Sequence, residues 1–383
     1  MELLEKYLLT RKASEQLCAP LAIEDYVPQP AEFVSPPKWN LGHTTWFFEE
    51  IVLSRCIKNY KTYHPKFSYI FNSYYQALGE RAKRAQRGDL SRPTVEEVYS
   101  YRKYVDDHIC QLLTDTELDE ETESLLEIGI NHEQQHQELF YTDLKYTFSL
   151  NPLIPVYAEK AYCEDIALGD SSFLDFDAGL YEVGYKGTGF AYDNESPRHR
   201  VHLNAYNIAS KLVTNQEYLE FVESGGYENS SYWHDEAWTW LTTNTITAPV
   251  YWQKQGEKWY QYTLAGLREL QSDAPCTHVS YFEAYAFAQW RGMRLPTEFE
   301  WEVAADMINW GQRWEWTESA YLPYPGYTKF DGALGEYNGK FMVNQKVLRG
   351  SSVVTPKGHE RKTYRNFFHP HMPYQFNGIR LAK

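Results

Sequence analysis

The chain has 383 residues, 43% apolar and 23% charged. That balance excludes disordered, collagen-like and coiled-coil proteins, and at roughly 150 residues per domain it points to two or three domains, each with its own core. Thirty-seven Lys and Arg against 52 Asp and Glu leave a net charge of −15, which argues against nucleic-acid and anionic-membrane partners and favours small-molecule substrates. The cysteines, Cys18, Cys56, Cys110, Cys163 and Cys276, are scattered and form no CxxC pair, so neither a disulfide framework nor a thiolate zinc site is expected. MELLEKYLLTRK mixes charge into its apolar residues, unlike a signal peptide, and no apolar run approaches the ~20 residues that cross a bilayer. A cytoplasmic protein is expected.

The first element is a helix on which Leu3, Leu4, Tyr7 and Leu8 paint one apolar stripe. Trp39 to Cys56 reads as a second helix, entered after the breakers Pro36 and Pro37. A third opens where Pro93 precedes a Thr94-x-x-Glu97 capping box and runs to about Leu113. The fourth and longest spans about Asp119 to Phe148. Four helices with one long connection, from about Tyr60 to Pro93, predict an up-down bundle whose core can host a metal held between facing helices. After Asn151 Gly, Asn, Thr and aromatic residues become frequent, with β-like runs at Tyr181–Tyr185 and Arg200–Ala209 and one helix from Tyr281 to Gly292. The expected layout is α plus α+β: a helical domain over 1–150, a linker over 151–170 containing NPLIPVYAEKAYCED, and an irregular α+β domain over 171–383.

The segment NHEQQHQELF carries the chemistry. On a helix His132 and His136 lie one turn apart, about 40° around the axis, so both imidazoles can reach one metal ion. Glu138 falls about 240° from His132 and points away, whereas Gln135 sits about 60° to the other side, at the edge of the histidine face. Gly129, one turn earlier, clears space on that face. A third ligand must come from another helix, and KWNLGHTTWFFEE offers His43. A solvated or hydrogen-bonded histidine pair has the same HxxxH spacing, and His43 in an aromatic core bonded to a carbonyl is the bland alternative. Three neutral imidazoles suit zinc, copper or iron alike and leave coordination positions open for substrates.

WNLGHTTW together with H-x-x-x-H-x-E resembles the DinB-like helical domain of the ergothioneine-biosynthesis sulfoxide synthases, the EgtB family. The second half carries YDNESPRH, LVTNQEYLEF, HVSYFEAYAFAQW, RLPTEFEWE, WEWTESAY and the terminal RKTYRNFF…GIRLA. These resemble the formylglycine-generating-enzyme, or C-type-lectin-like, fold that follows the bundle in that family. The resemblance implies a non-haem Fe(II) held by His43, His132 and His136, with O2 as co-substrate. It also implies a reaction that joins the sulfur of a thiol to the imidazole C2 of N-α-trimethylhistidine (hercynine) and oxidises it to a sulfoxide.

NSYYQALGERAKRAQRG places Tyr74 and Tyr75 before Arg81, Arg84 and Arg87. This looks like the branch that uses free cysteine and takes its catalytic tyrosines from the helical domain; a tyrosine there can donate a proton or hydrogen atom to the oxygen chemistry. The γ-glutamylcysteine branch has a Tyr-x-x-Tyr pair in the second domain, where LGEYN here has Leu334 and Tyr337. By the same resemblance Arg84 and Arg87 bind the substrate carboxylate, for which a guanidinium fork is suited. A solvated basic loop and core tyrosines are the alternatives. RNFFHPHMPYQF aligns with the hercynine-contacting segment, so Asn366, Phe367 and Phe368, completed by Gln135, would line a pocket whose aromatic faces suit a quaternary ammonium. Pro373 and Tyr374 replace the family's frequent Arg-Trp, and His369 and His371 belong at most to the rim.

Formylglycine-generating activity is not expected: it relies on a close cysteine pair near the C-terminus, the last cysteine is Cys276, and Ser352 and Val353 stand where a thiol would be sought. The expected reaction makes S-(hercyn-2-yl)cysteine sulfoxide from hercynine and cysteine. The rivals are a selenoneine synthase using a selenosugar, a DinB-like metal-dependent thiol transferase, and a lectin-type binding module without catalysis.

Overall fold

The computed structural model describes residues 2–73, 80–158, 168–169, 171–329 and 338–383, so Tyr74, Tyr75, Cys163, Leu334 and Tyr337 lie outside the described residues. The chain divides into two compact units. Of the described residues, the helical unit takes those up to Tyr157 together with Thr355–His359; the second takes Ala158 onward, Asn338–Val354 and Glu360–Lys383.

The helical unit is built from α1 (Leu3–Cys18), α2 (Pro37–Phe47), a π-helical turn (Phe48–Leu53) running into the short α3 (Ser54–Cys56), α4 (Phe67–Phe71), α5 (Val95–Asp115) and α6 (Glu120–Ser149). Helix α1 packs on α5 and α6, and α2 packs on the same two helices. The capping signals act as expected: the Thr94 hydroxyl accepts from the Glu97 N–H while the Glu97 carboxylate accepts from the Thr94 N–H, and Asp119 accepts from the Thr122 N–H. Helix α2 starts at Pro37, two residues earlier than expected, because a first-turn N–H has no helical partner to lose. The single helix expected to Cys56 is interrupted by the π-helical turn.

The stripe predicted for α1 is corrected by the structure. Leu8 is 46% exposed, and the buried face carries Tyr7, Thr10, Arg11, Ser14 and Cys18. The reason lies on α6, where Glu133 is wholly buried. Its carboxylate accepts from Arg11 Nη1 at 2.8 Å, Ser14 Oγ at 2.6 Å and Arg102 Nη2 at 3.1 Å. A buried charge demands such partners, and satisfying it outweighs burying one more leucine. Burial alone would raise the Glu133 carboxyl; Arg11 and Arg102 reverse that and hold it at about 2.

In the second unit β1 (Phe173–Phe176) pairs antiparallel with β4 (Tyr206–Ala209), and β2 (Gly179–Val183) with β3 (His199–Leu203). Helices α7 (Asn215–Glu223) and α8 (Asp235–Asn244) lead into the meander β5 (Trp252–Gln255), β6 (Lys258–Thr263), β7 (Gly266–Glu269). After α9 (Tyr281–Trp290) and α10 (Glu298–Ala304) come β8 (Trp314–Ala320), β9 (Lys346–Gly350), β10 (Asn366–Phe368) and β11 (Asn377–Gly378). They form a sheet in the order β10-β9-β8-β11, antiparallel except for the β11–β8 pair. The expected run Arg200–Ala209 is thus two strands in different sheets. Helices α7, α8 and α10 were not expected, yet α7 and α10 announce themselves by capping boxes, Thr214-x-x-Glu217 and Thr297-x-x-Glu300. Indoles and ion pairs fill the interior: Trp301, Trp314 and Trp316 are buried beside the pairs Arg365–Glu298 and Arg380–Glu315.

Candidate metal centre

Two helices build the site. Helix α2 presents Trp39-Asn40-Leu41-Gly42-His43, and α6 presents His132 and His136. The ligand atoms of the three histidines lie within 4.8 Å of one another, and His43 Nε2 is 3.2 Å from His132 Nε2. Among the described residues this is the one group of three or more His, Cys, Asp or Glu side chains so gathered. His43 and His132 are fully buried.

The outer nitrogens are tied down. Nδ1 of His43 meets the Phe71 carbonyl at 2.6 Å, and Nδ1 of His136 meets Asn40 Oδ1 at 2.9 Å. Both oxygens only accept, so both Nδ1 atoms carry the proton and both Nε2 lone pairs are left for another partner. Gly42 makes the first contact possible, since a Cβ there would collide with the Phe71 ring. The space that Gly129 clears is taken by Phe48, whose ring a Cβ at 129 would strike. Trp39 and Trp46 lie near-parallel to the His43 ring, with centroids 4.6 and 5.6 Å away.

Burial pushes all three imidazoles below their usual range, His132 to about 3. The neighbouring histidines and Arg87 add to this at His43 and His136. Neutral imidazoles with inward lone pairs fit a bound transition metal, and donors of this kind suit zinc, copper and iron alike.

The arginine ladder divides. Arg87 is buried, stacks its guanidinium 3.3 Å from the Trp39 ring centroid, and donates to Ser35 Oγ at 2.8 Å and Ser73 Oγ at 3.0 Å. An Arg87–Trp39–His43 stack results. Arg84 instead is exposed and donates to the carbonyls of Glu32 and Phe33 at 3.2 and 2.9 Å. Gln135 is half-buried, one residue before His136. Glu138 is outside the histidine cluster and accepts from Thr355 Oγ1 at 2.8 Å. Asn366, Phe367 and Phe368 lie on β10 of the second unit, where Phe367 stacks on Tyr321 at 4.1 Å and Asn366 Oδ1 accepts from the Phe367 N–H. His369 and His371 stack on each other in that unit. The sequence reading missed Asn40, Ser35 and the Phe71 carbonyl. Asn40 had a signal, standing three residues before His43 on the same helix.

Residues 6–140 match the model of the DinB superfamily, and residues 172–312 that of the sulfatase-modifying factor enzyme 1-like domain. The chain is 29% identical over 311 residues to a protein of Mycolicibacterium thermoresistibile named hercynine oxygenase, covering 66% of this chain and 67% of the relative. It is 31% identical over 238 residues to the hercynine oxygenase of Mycobacterium tuberculosis, covering 50% and 55%. A formylglycine-generating enzyme of Streptomyces coelicolor is 31% identical over 142 residues, covering 34% of this chain and 45% of that one. The chain therefore spans two thirds of the first relative's length and about half of the second's. Among the described residues no helix is long and apolar enough to cross a membrane.

Proposed function

We infer that this chain, a DinB-superfamily unit joined to a sulfatase-modifying-factor-like unit and similar to hercynine oxygenases, is itself an oxygenase of ergothioneine biosynthesis. It joins the sulfur of cysteine to C2 of hercynine and oxidises that sulfur to the sulfoxide. The observation that carries the reading is the buried three-histidine cluster with two Nε2 lone pairs directed inward. His43, His132 and His136 would hold Fe(II). When bound, the iron supplies dioxygen activation and an electrophilic centre at which thiolate and imidazole meet.

The chain's own residues do the rest. The Arg87 guanidinium, held by two serine hydroxyls and the Trp39 face, supplies the positive charge that attracts the carboxylate of the thiol substrate. Tyr74 and Tyr75 follow Ser73 directly in sequence, and one of them delivers the proton or hydrogen atom that turns the reaction from thiol oxidation to carbon–sulfur bond formation. The resemblance names Gln135 on α6 and, separately, Asn366, Phe367 and Phe368 on β10 as the residues that would recognise hercynine. Arg84 contributes positive charge near the histidines rather than a direct contact, its donors being on backbone carbonyls.

A mass-spectrometric assay tests this. Protein loaded anaerobically with Fe(II) receives hercynine and cysteine, then air. The expected product carries cysteine sulfur and one oxygen on hercynine. Iron-loaded protein that makes none refutes the cysteine assignment, and a product formed only from a selenium donor moves the chain to that substrate.

A further inference from the structure

We propose that Asn40 is a positioning residue of the metal centre, fixing the His136 imidazole as its Nδ1–H tautomer so that Nε2 is offered as a ligand before a metal arrives. The proposal rests on the metal-binding reading above and concerns how this chain prepares the site.

The argument starts at Ser35, which is held from two directions. Its N–H donates to Asp143 Oδ2 at 2.9 Å, and its Oγ accepts from Arg87 Nη1 at 2.8 Å. Its carbonyl, fixed by these contacts, accepts from Asn40 Nδ2 at 3.1 Å. A carbonyl has no proton to give, so the NH2 of the Asn40 amide must face Ser35 and Oδ1 must face His136. The amide, 5% exposed, cannot flip without setting its oxygen against the Ser35 carbonyl oxygen and losing that hydrogen bond. His136 Nδ1, 2.9 Å from that oxygen, therefore carries the proton. The orientation of one imidazole is thus passed along Asp143–Ser35–Asn40–His136.

The two oriented ligands differ in kind. His43 is held by a backbone carbonyl, which no side-chain substitution removes, whereas His136 depends on a side chain. Asn40 and His43 stand three residues apart on α2, so one helical turn supplies a ligand and also orients the ligand that comes from α6. Partners of this kind change metal affinity by about 10–100-fold when lost.

The test uses the full chain and Co(II) as the probe. In metal-free protein labelled with 15N-histidine, the ring shifts of His136, assigned with a His136→Gln variant, should report Nδ1–H. Co(II) affinity, measured against a competing chelator, should fall about 10–100-fold in Asn40→Leu, with the His136 tautomers mixed and the His43 signals unchanged. Asn40→Asp keeps the acceptor for His136 but sets a carboxylate oxygen against the Ser35 carbonyl, so His136 should stay Nδ1–H in that variant. An Nε2–H His136 in the wild type, or an Asn40→Leu variant of undiminished affinity, overturns the proposal. Should Asn40→Leu fail to fold, the His136 tautomer in the wild type and in Asn40→Asp decides it, an Nε2–H His136 in either counting against. Wild-type protein that binds no Co(II) sinks the metal reading and this inference with it; binding that ignores position 40 sinks this inference alone.

Discussion

Asp143 is a buried carboxyl that desolvation pushes from 3.8 up to about 7, against the downward pull of the Ser35 N–H bond and the charges of Arg84 and Arg87. A folded-state value raised in this way makes a contribution that is complete below about 3.8 and is lost as pH rises through about 7. Asp143→Asn keeps an acceptor for Ser35 and removes the titration. The stability of the variant minus that of the wild type should therefore grow from pH 4 to 7 and level off above, by a few kcal/mol in all. Urea denaturation of the metal-free protein across that range checks it, and a difference independent of pH would show that Asp143 does not titrate there. At this scale the sequence was readable where chemistry has a spacing: His132 and His136 stand at i and i+4, and His43 stood out among aromatics. Phe71 was illegible because its part is played by a backbone carbonyl, which leaves no mark in the amino-acid code. Tyr74 and Tyr75 enter through resemblance alone.

Helices were legible where they announce their ends. Thr94 with Glu97 and Asp119 at the head of α6 fixed two starts within a residue, while α7 and α10 carried the same capping signal unread. Helix α1 misled for a different reason. Leu8 follows the apolar stripe, but which face turns inward depends on Glu133, 125 positions away in sequence, and local periodicity is blind to such a partner. The Arg11–Glu133–Arg102 cluster joins α1, α5 and α6. Glu133→Ala should cost about 3–5 kcal/mol, since it leaves two buried guanidinium groups short of their counter-charge. Denaturant unfolding measures it, and a loss below 1 kcal/mol would mean that the cluster is solvated. Glu133 follows His132 directly, so the ion pairs that attach α1 also immobilise the turn carrying that ligand.

On the scale of the whole molecule, the composition changes near Asn151 in a way that reads plainly, whereas the return of Thr355–His359 to the helical unit does not. His359 Nδ1 lies 3.1 Å from Asn131 Oδ1, and Thr355 Oγ1 donates to Glu138, so the segment grips α6 on either side of His132 and His136. A pairing across more than 200 positions has no local signature. His359→Ala should cost about 1 kcal/mol and speed amide exchange over residues 131–138, whereas His369→Ala, at an exposed position of the second unit, should leave that stretch unchanged. Equal exchange in both variants would remove the role given to the segment. The grip also imposes a schedule. The first 157 residues leave the ribosome long before their clasp exists. At roughly 5–20 residues per second, the nascent bundle waits on the order of 10–40 seconds for residues 355–359. A metal ion captured in that interval meets histidines whose helix is not yet fastened, and the site reaches its finished form only once residues 355–359 have been made and have docked.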